Sequence, residues 1–262
     1  MVMEPERWPV AVGGVGGSGT RIIAELLTEM GVFMGDFVNH ALDNYAWPLG
    51  AELDVPDIAP PPHRRQQSIA YALGGFEHAM LGALARSDRP YLGWGWKVPT
   101  SFLWLSELHD FFPGLRYLHV IRHGLDMAYS RNRSQVQLWG HRFDMSPGSR
   151  PSPEEVLRYW VRANRHAVAQ GGALLRDRFL LINFDALCMN PEKGIGRMAG
   201  MLGLSLDRDH MAELVRRVHP PRSMNRYRRQ PDLAALNLDD VREVERLGFP
   251  VDHQLFARAG AG

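Results

Sequence analysis

The sequence is almost without lysine and cysteine. Lys97 and Lys193 are its only lysines among 30 Lys+Arg residues, and Cys188 is its single cysteine. One cysteine excludes an intramolecular disulfide framework and any multi-cysteine metal site. Charge of one sign is also missing: 30 basic residues face 29 acidic ones, a formal net charge of +1. A nucleic-acid binder would carry a clear basic surplus or a basic block. No apolar run approaches the roughly 18–20 residues that span a bilayer. The first residues include Glu4 and Glu6 and lack the apolar stretch of a secretory signal. The expectation is a cytoplasmic protein with no membrane span and no nucleic-acid partner. What is present is core material: 262 residues at 45% hydrophobic and 10% aromatic supply one large core or two small ones.

Short apolar runs alternate with helical periodicity along the whole chain. Trp8–Val12, Tyr91–Val98, Leu115–Ile121 and Arg178–Phe184 read as strands. Ile22, Ile23, Leu26, Leu27 and Met30 recur at helical spacing with Gly31 closing the helix. Further helices are predicted over 66–86, from a Ser101 cap to Phe112, after Ile121, from Pro153, and at about 191–202 and 208–219, with a short one at the end. This alternation predicts an α/β protein: one three-layer domain over 1–262 around a central, mostly parallel sheet. Residues 35–65 and 134–152 read as irregular, mobile segments.

Gly13-Gly14-Val15-Gly16-Gly17-Ser18-Gly19-Thr20 lies between the first strand and the first helix. Small residues let backbone N–H groups converge on an anion, and the helix N-terminus adds its dipole. A plain tight turn needs one or two glycines, and this one has five. Two phosphate chemistries fit locally. Gly14, Gly16 and Gly19 satisfy the dinucleotide fingerprint, with Asp36 near the spacing of a ribose-binding acid; that is the Rossmann-type NAD(P)-dependent oxidoreductase reading. An NTPase loop would need Lys before Ser18, and position 17 is glycine. A second handle follows the strand at 115–121, in Arg122-His123-Gly124-Leu125-Asp126-Met127-Ala128-Tyr129-Ser130. Arg122 leaves a parallel strand at the edge where open α/β sheets bind ligands, and Ser130, placed in the next helix, would share a phosphate with it.

These residues resemble the sulfotransferase family that uses 3′-phosphoadenosine 5′-phosphosulfate (PAPS), in its bacterial type with a P-loop-like fold. The Ser18-Gly19-Thr20-Arg21 turn is similar to the family's 5′-phosphosulfate loop, and Arg122 with Ser130 to its 3′-phosphate motif. Asn183–Pro191 is similar to the segment that follows, and Pro221–Arg228 to the cofactor-closing loop, so the ordered set covers about 9–230. The resemblance implies PAPS as sulfuryl donor, no metal, and a small-molecule or carbohydrate acceptor bearing a hydroxyl or amine. It implies cofactor contacts from Gly16, Gly17, Ser18, Gly19, Thr20, Arg21, Arg122, Ser130, Arg226 and Arg228, and a homodimer is compatible with it. A binding protein that keeps the pocket without catalysis is a third reading, because members often carry a basic residue where Gly17 stands and a histidine where Pro99 stands. Arg21 is the candidate to replace the former.

Sulfuryl transfer needs in-line geometry, charge stabilisation on the leaving oxygen and a base for the acceptor. Lys97, ending the strand Gly93–Lys97, is the candidate for the leaving oxygen: a compact ammonium suits contact with one atom. The base falls to Asp36, His40 or Asp43, with Asp43 favoured because neighbouring aromatics would wall an acceptor. His123 is expected to line the cofactor and Cys188 to be a small buried residue. The 222–229 segment is expected to be extended, with only one of Arg226 and Arg228 reaching the cofactor.

Overall fold

In the computed structural model, residues 8–50 and 62–259 are described. Five strands form one fully parallel sheet: β1 (Pro9–Gly14), β2 (Val32–Phe33), β3 (Gly93–Lys97), β4 (Arg116–Ile121) and β5 (Phe179–Asn183), in the order β2-β3-β1-β4-β5. Alternation along each strand sends side chains to two cores. Val10, Val12, Leu118, Val120 and Ile182 face α1 (Thr20–Glu29), α7 (Phe184–Met189), α8 (Pro191–Leu202) and α9 (Arg208–Arg217). Ala11, Trp94, Trp96 and Tyr117 face α2 (Pro62–Ala85), α3 (Leu105–Phe111), α4 (Gly124–Ala128) and α6 (Pro153–Leu175). Ser152 and Glu155 form a reciprocal capping box at the start of α6. The last helices are α10 (Leu238–Arg246) and α11 (His253–Ala259).

Strand order corrects one sequence reading. In a dinucleotide fold the second strand lies beside the first and carries the ribose-binding acid at its end. Here β3 separates β1 from β2, and Asp36 is exposed beyond the edge strand. Gly14, Gly16 and Gly19 therefore have no ribose acid beside them, and the oxidoreductase reading fails.

Other differences are local. Ser101 caps nothing: it is buried in a 3-10 turn, Pro99–Trp104, with its hydroxyl 3.0 Å from that of Tyr117. Pro99 sets that tight turn, and α3 begins only at Leu105. Helix α2 starts at Pro62, four residues before the expected start. Ser130 lies beyond the end of α4, after Tyr129. Within 134–152, Ser134–Trp139 form α5 and Gly140–Phe143 a 3-10 turn, while 144–152 carry no helix or strand. Part of the expected acceptor-side segment, 51–61, lies outside the described residues. No helix among the described residues is long and apolar enough to cross a membrane.

One core group makes stability depend on pH. His119 on β4 is fully buried, with Nε2 2.9 Å from Asn164 Oδ1. The Asn164 amide nitrogen donates to Trp160 O, so its oxygen accepts and His119 Nε2 donates. His119 Nδ1 has no partner among the described residues, and burial pushes the imidazole down to about 4. The unfolded chain takes a proton near pH 6.5 and the folded chain does not, so stability is lost as pH falls from about 6.5 towards 4. We expect the stability difference between wild type and His119→Gln in urea titrations to shift against wild type by roughly 3 kcal/mol between pH 7 and 4. A pH-independent difference would refute this.

Candidate active site

The loop after β1 turns on two glycines. Gly17 and Gly19 have φ of +96° and +94°, the left-handed region that side chains avoid. At Gly19 a Cβ would also fall 2.3 Å from the Phe184 ring, which closes the loop from the β5 side. The Ser18 hydroxyl donates to Val15 O at 2.6 Å and pins the turn. Gly19 then stands at the N-terminus of α1, whose first residue, Thr20, is buried. The result is a concave run of backbone, Gly16 to Thr20, aimed along the start of a helix.

Arg122 sits at the end of β4, one strand over. It is nearly fully buried and spans two loops: one terminal nitrogen lies 3.5 Å from Gly17 O, and the other donates to Ser223 Oγ at 2.9 Å. Its Nε is buried without a partner among the described residues. The Ser130 hydroxyl accepts from Asn132 N–H at 3.2 Å, and a Cβ on Gly17 would lie 3.9 Å from it. Arg122 and Ser130 thus both border Gly17.

Residues 222–229 are held by Asp126, which sequence reading passed over. Its fully buried carboxylate accepts from Asn225 N–H at 2.7 Å and Tyr227 N–H at 3.2 Å. It also lies 3.8 Å from Arg122. The available signal was an acid four residues after Arg122, in the helix that follows it. The segment is not extended as expected; it closes in a 3-10 turn, Arg226–Arg229. That turn separates the two arginines. Arg226 bends back to Ser223 O and Tyr129 O beside Arg122, whereas exposed Arg228 pairs with Asp252. Arg228 is therefore not brought to the site. Nor does the His123 ring line it: Nδ1 accepts from Leu125 N–H, Nε2 faces Pro250 O, and Tyr227 stacks at 4.8 Å. Burial pushes that imidazole down. Cys188 is buried, and burial raises its thiol to about 11.

On the other side of β1, Lys97 ends β3 with a side chain only 2% exposed, and its ammonium pairs with the Asp43 carboxylate. Desolvation lowers the Lys97 pKa, against the hydrogen bond and charge of Asp43, and the charge of Arg21 pushes the same way as burial. Asp43 arrives there because Asn44 N–H donates to Lys97 O at 3.0 Å, tying residues 36–45 to the strand end. Asp43 remains 34% exposed, and its other oxygen accepts from Asn39 Nδ2 at 3.0 Å. His40, at the tip of the same segment, is exposed. Arg21 is 62% exposed and bonds to Glu25, so its guanidinium is held at the helix surface. Among the described residues no group of three or more His, Cys, Asp or Glu side chains could hold a metal ion.

The site is thus a glycine cradle on the central strand, with a buried cation at the end of each neighbour. No curated protein sequence matches the chain. Among solved structures, it is similar to the sulfotransferase domain of the Synechococcus PCC 7002 olefin synthase. The TM-score is 0.56 at 14% identity, covering 94% of this chain and 97% of that one. It is also similar to a sulfotransferase from Alicyclobacillus acidocaldarius, with a TM-score of 0.49 at 12% identity, covering 95% and 98%. The first likeness establishes the three-layer, P-loop-like fold. A family model, described as the sulfotransferase family, matches residues 9–208 and so takes in β1 to the start of α9. With the match running through the glycine cradle, Lys97 and Arg122 alike, this chain belongs to the sulfotransferase family.

Proposed function

We propose that the chain is a single sulfotransferase domain that moves a sulfuryl group from PAPS to the hydroxyl of a small-molecule acceptor. The observation that carries this reading is the row of three adjacent strand ends: Lys97 on β3, the cradle on β1, Arg122 on β4. The residues suit a doubly anionic nucleotide. Gly17 and Gly19 of the cradle take positive φ, a Cβ on Gly19 would strike the Phe184 ring, and the buried Nε of Arg122 has no partner among the described residues.

Gly16 to Thr20 would hold the 5′-phosphosulfate by backbone N–H groups. Arg122, Ser130 and Arg226 would hold the 3′-phosphate. When bound, the nucleotide supplies an activated sulfuryl group and a phosphate leaving group. Lys97 donates to the oxygen that gains negative charge as the bond to sulfur breaks. Asp43 accepts the proton of the acceptor hydroxyl as the new oxygen–sulfur bond forms. Its ion pair with Lys97 and its bond from Asn39 hold the carboxylate at the end of β3, the strand next to β1.

Adenosine 3′,5′-bisphosphate at about 100 times its Kd should raise the melting temperature by about 5 °C or more, with no shift from NADH. Labelled sulfate from PAPS should then appear on an acceptor. Absence of stabilisation would sink the reading; stabilisation without turnover over a broad acceptor set would leave a nucleotide-binding relative.

A further inference from the structure

Residues 36–45 form a small hairpin. Val38 pairs with Asn44, and the pairs on either side are tied by Asn39 N–H to Asp43 O and Tyr45 N–H to Phe37 O, both 3.0 Å. Side chains alternate along each arm. Asn44 turns inward, where its amide meets Met80 Sδ at 3.3 Å. Phe37, Asn39, Asp43 and Tyr45 share the opposite face. Phe37 is 65% and Tyr45 60% exposed, and their rings lie 5.2 Å apart at 45°. Two adjacent aromatic rings are thereby left in water next to a carboxylate that reaches a buried lysine. Phe37 is the diagonal cross-strand neighbour of Asp43, roughly 7–8 Å away, and Tyr45 stands two residues along the same arm, roughly 7 Å away, so each ring is within one acceptor's length of Asp43.

The Asn39 side chain on this face is already used. Asn39 Oδ1 accepts from Ala41 N–H at 2.8 Å and Asp43 N–H at 2.9 Å, and its Nδ2 donates to Asp43. A polyhydroxylated sugar needs free donors and acceptors around its rim, and this amide cannot supply an acceptor. The hairpin carries no lysine or arginine, while Asp36 and Asp43 are acidic. That disfavours an anionic acceptor. What the face offers is two ring surfaces, the Tyr45 hydroxyl and one carboxylate proton acceptor.

We infer that Phe37 and Tyr45 form the shelf that determines acceptor specificity, and that it takes an uncharged aryl alcohol: a flat apolar ring with a hydroxyl directed at Asp43. This rests on the sulfotransferase reading above. The probe is 2-naphthol, titrated calorimetrically into the full chain alone and saturated with adenosine 3′,5′-bisphosphate, with methyl β-D-glucopyranoside as the sugar arm. Steady-state kinetics with 2-naphthol and PAPS accompany it. Phe37→Ala and Tyr45→Ala should each raise the 2-naphthol Kd and KM about tenfold, and the double variant more. The kcat should stay within about twofold, with nucleotide affinity unchanged and Tyr45→Phe close to wild type. Both side chains are mostly exposed, so the variants should fold, which an unchanged melting temperature verifies. Undiminished 2-naphthol affinity in the double variant, no measurable binding to wild type, or preferential binding of the glucoside would overturn the shelf. Nucleotide affinity separates the two readings. If the bisphosphate fails to bind while the variants still lose 2-naphthol, the sulfotransferase reading fails and an aryl-binding shelf remains. If the bisphosphate binds and the variants match wild type, the shelf alone fails.

Discussion

Replacing Lys97 by alanine is expected to lower kcat by about 10²- to 10³-fold while adenosine 3′,5′-bisphosphate binds within a few-fold of wild type. The magnitude is that of losing one preorganised donor aimed at developing charge in a site shielded from water. Three features of the structure support the split between turnover and binding. Lys97 lies on the opposite side of the glycine cradle from Arg122, it is almost fully buried, and its resting partner is the candidate base rather than a phosphate handle. The partner left behind, Asp43, is one-third exposed and can be hydrated, so the fold should survive the change. Lys97→Arg should not rescue turnover, because a planar guanidinium does not fit a slot shaped around a compact ammonium. The pH profile gives an independent readout. Lys97 is active when charged, so activity is present below its pKa and lost as pH rises through it. Burial sets that pKa below the ordinary 10.5, opposed by Asp43. The alkaline limb should therefore lie below 10.5 and move lower still in Asp43→Asn, which also removes the base. Full turnover in Lys97→Ala at neutral pH would remove this residue from the chemistry.

Arg122→Ala should act on the other term, weakening adenosine 3′,5′-bisphosphate about 100-fold. A buried guanidinium whose terminal nitrogens have partners and whose Nε has none among the described residues makes charge-assisted bonds worth roughly 1.5–3 kcal/mol each. Equilibrium binding of the bisphosphate measures this directly, with adenosine 5′-phosphate as the control for the site lacking a 3′-phosphate. Wild type should prefer the bisphosphate, and the variant should nearly lose the preference. Arg122→Lys should recover only a small part, because one ammonium cannot reach both Gly17 and Ser223. The 222–229 segment should remain in place in either variant, since Asp126 keeps the N–H groups of Asn225 and Tyr227. An unchanged ratio of affinities for the two nucleotides would show that Arg122 does not read the second phosphate.

What sequence reading recovered was local. The turn at 13–20 holds five glycines within eight residues, and Arg122 and Ser130 flank one short helix, so both are visible without tertiary contacts. The hairpin with Asp43 was not visible as structure. Its residues alternate weakly, and its position depends on one bond from Asn44 to the end of a strand 53 residues later. Strand order is equally remote from local pattern. The dinucleotide fingerprint at Gly14, Gly16 and Gly19 is present letter for letter, but its meaning depends on which strand lies beside β1, and that is decided by where the crossover through α2 returns. Ser101 shows the same limit on a smaller scale. A serine before a helical run suggests a cap, yet a buried tyrosine hydroxyl from β4 claims it.

The placement of β1 between β3 and β4 also makes the sheet a caliper. Neighbouring strands stand roughly 4.8 Å apart, so the ends of β3 and β4 are set roughly 9–10 Å from each other by backbone hydrogen bonds alone. Loops around the site can lengthen or change sequence without altering that gap. The spacing between the ammonium of one jaw and the guanidinium of the other is thus inherited from the ladder rather than from any side chain. Only the rotamers of Lys97 and Arg122 remain for adjusting the grip.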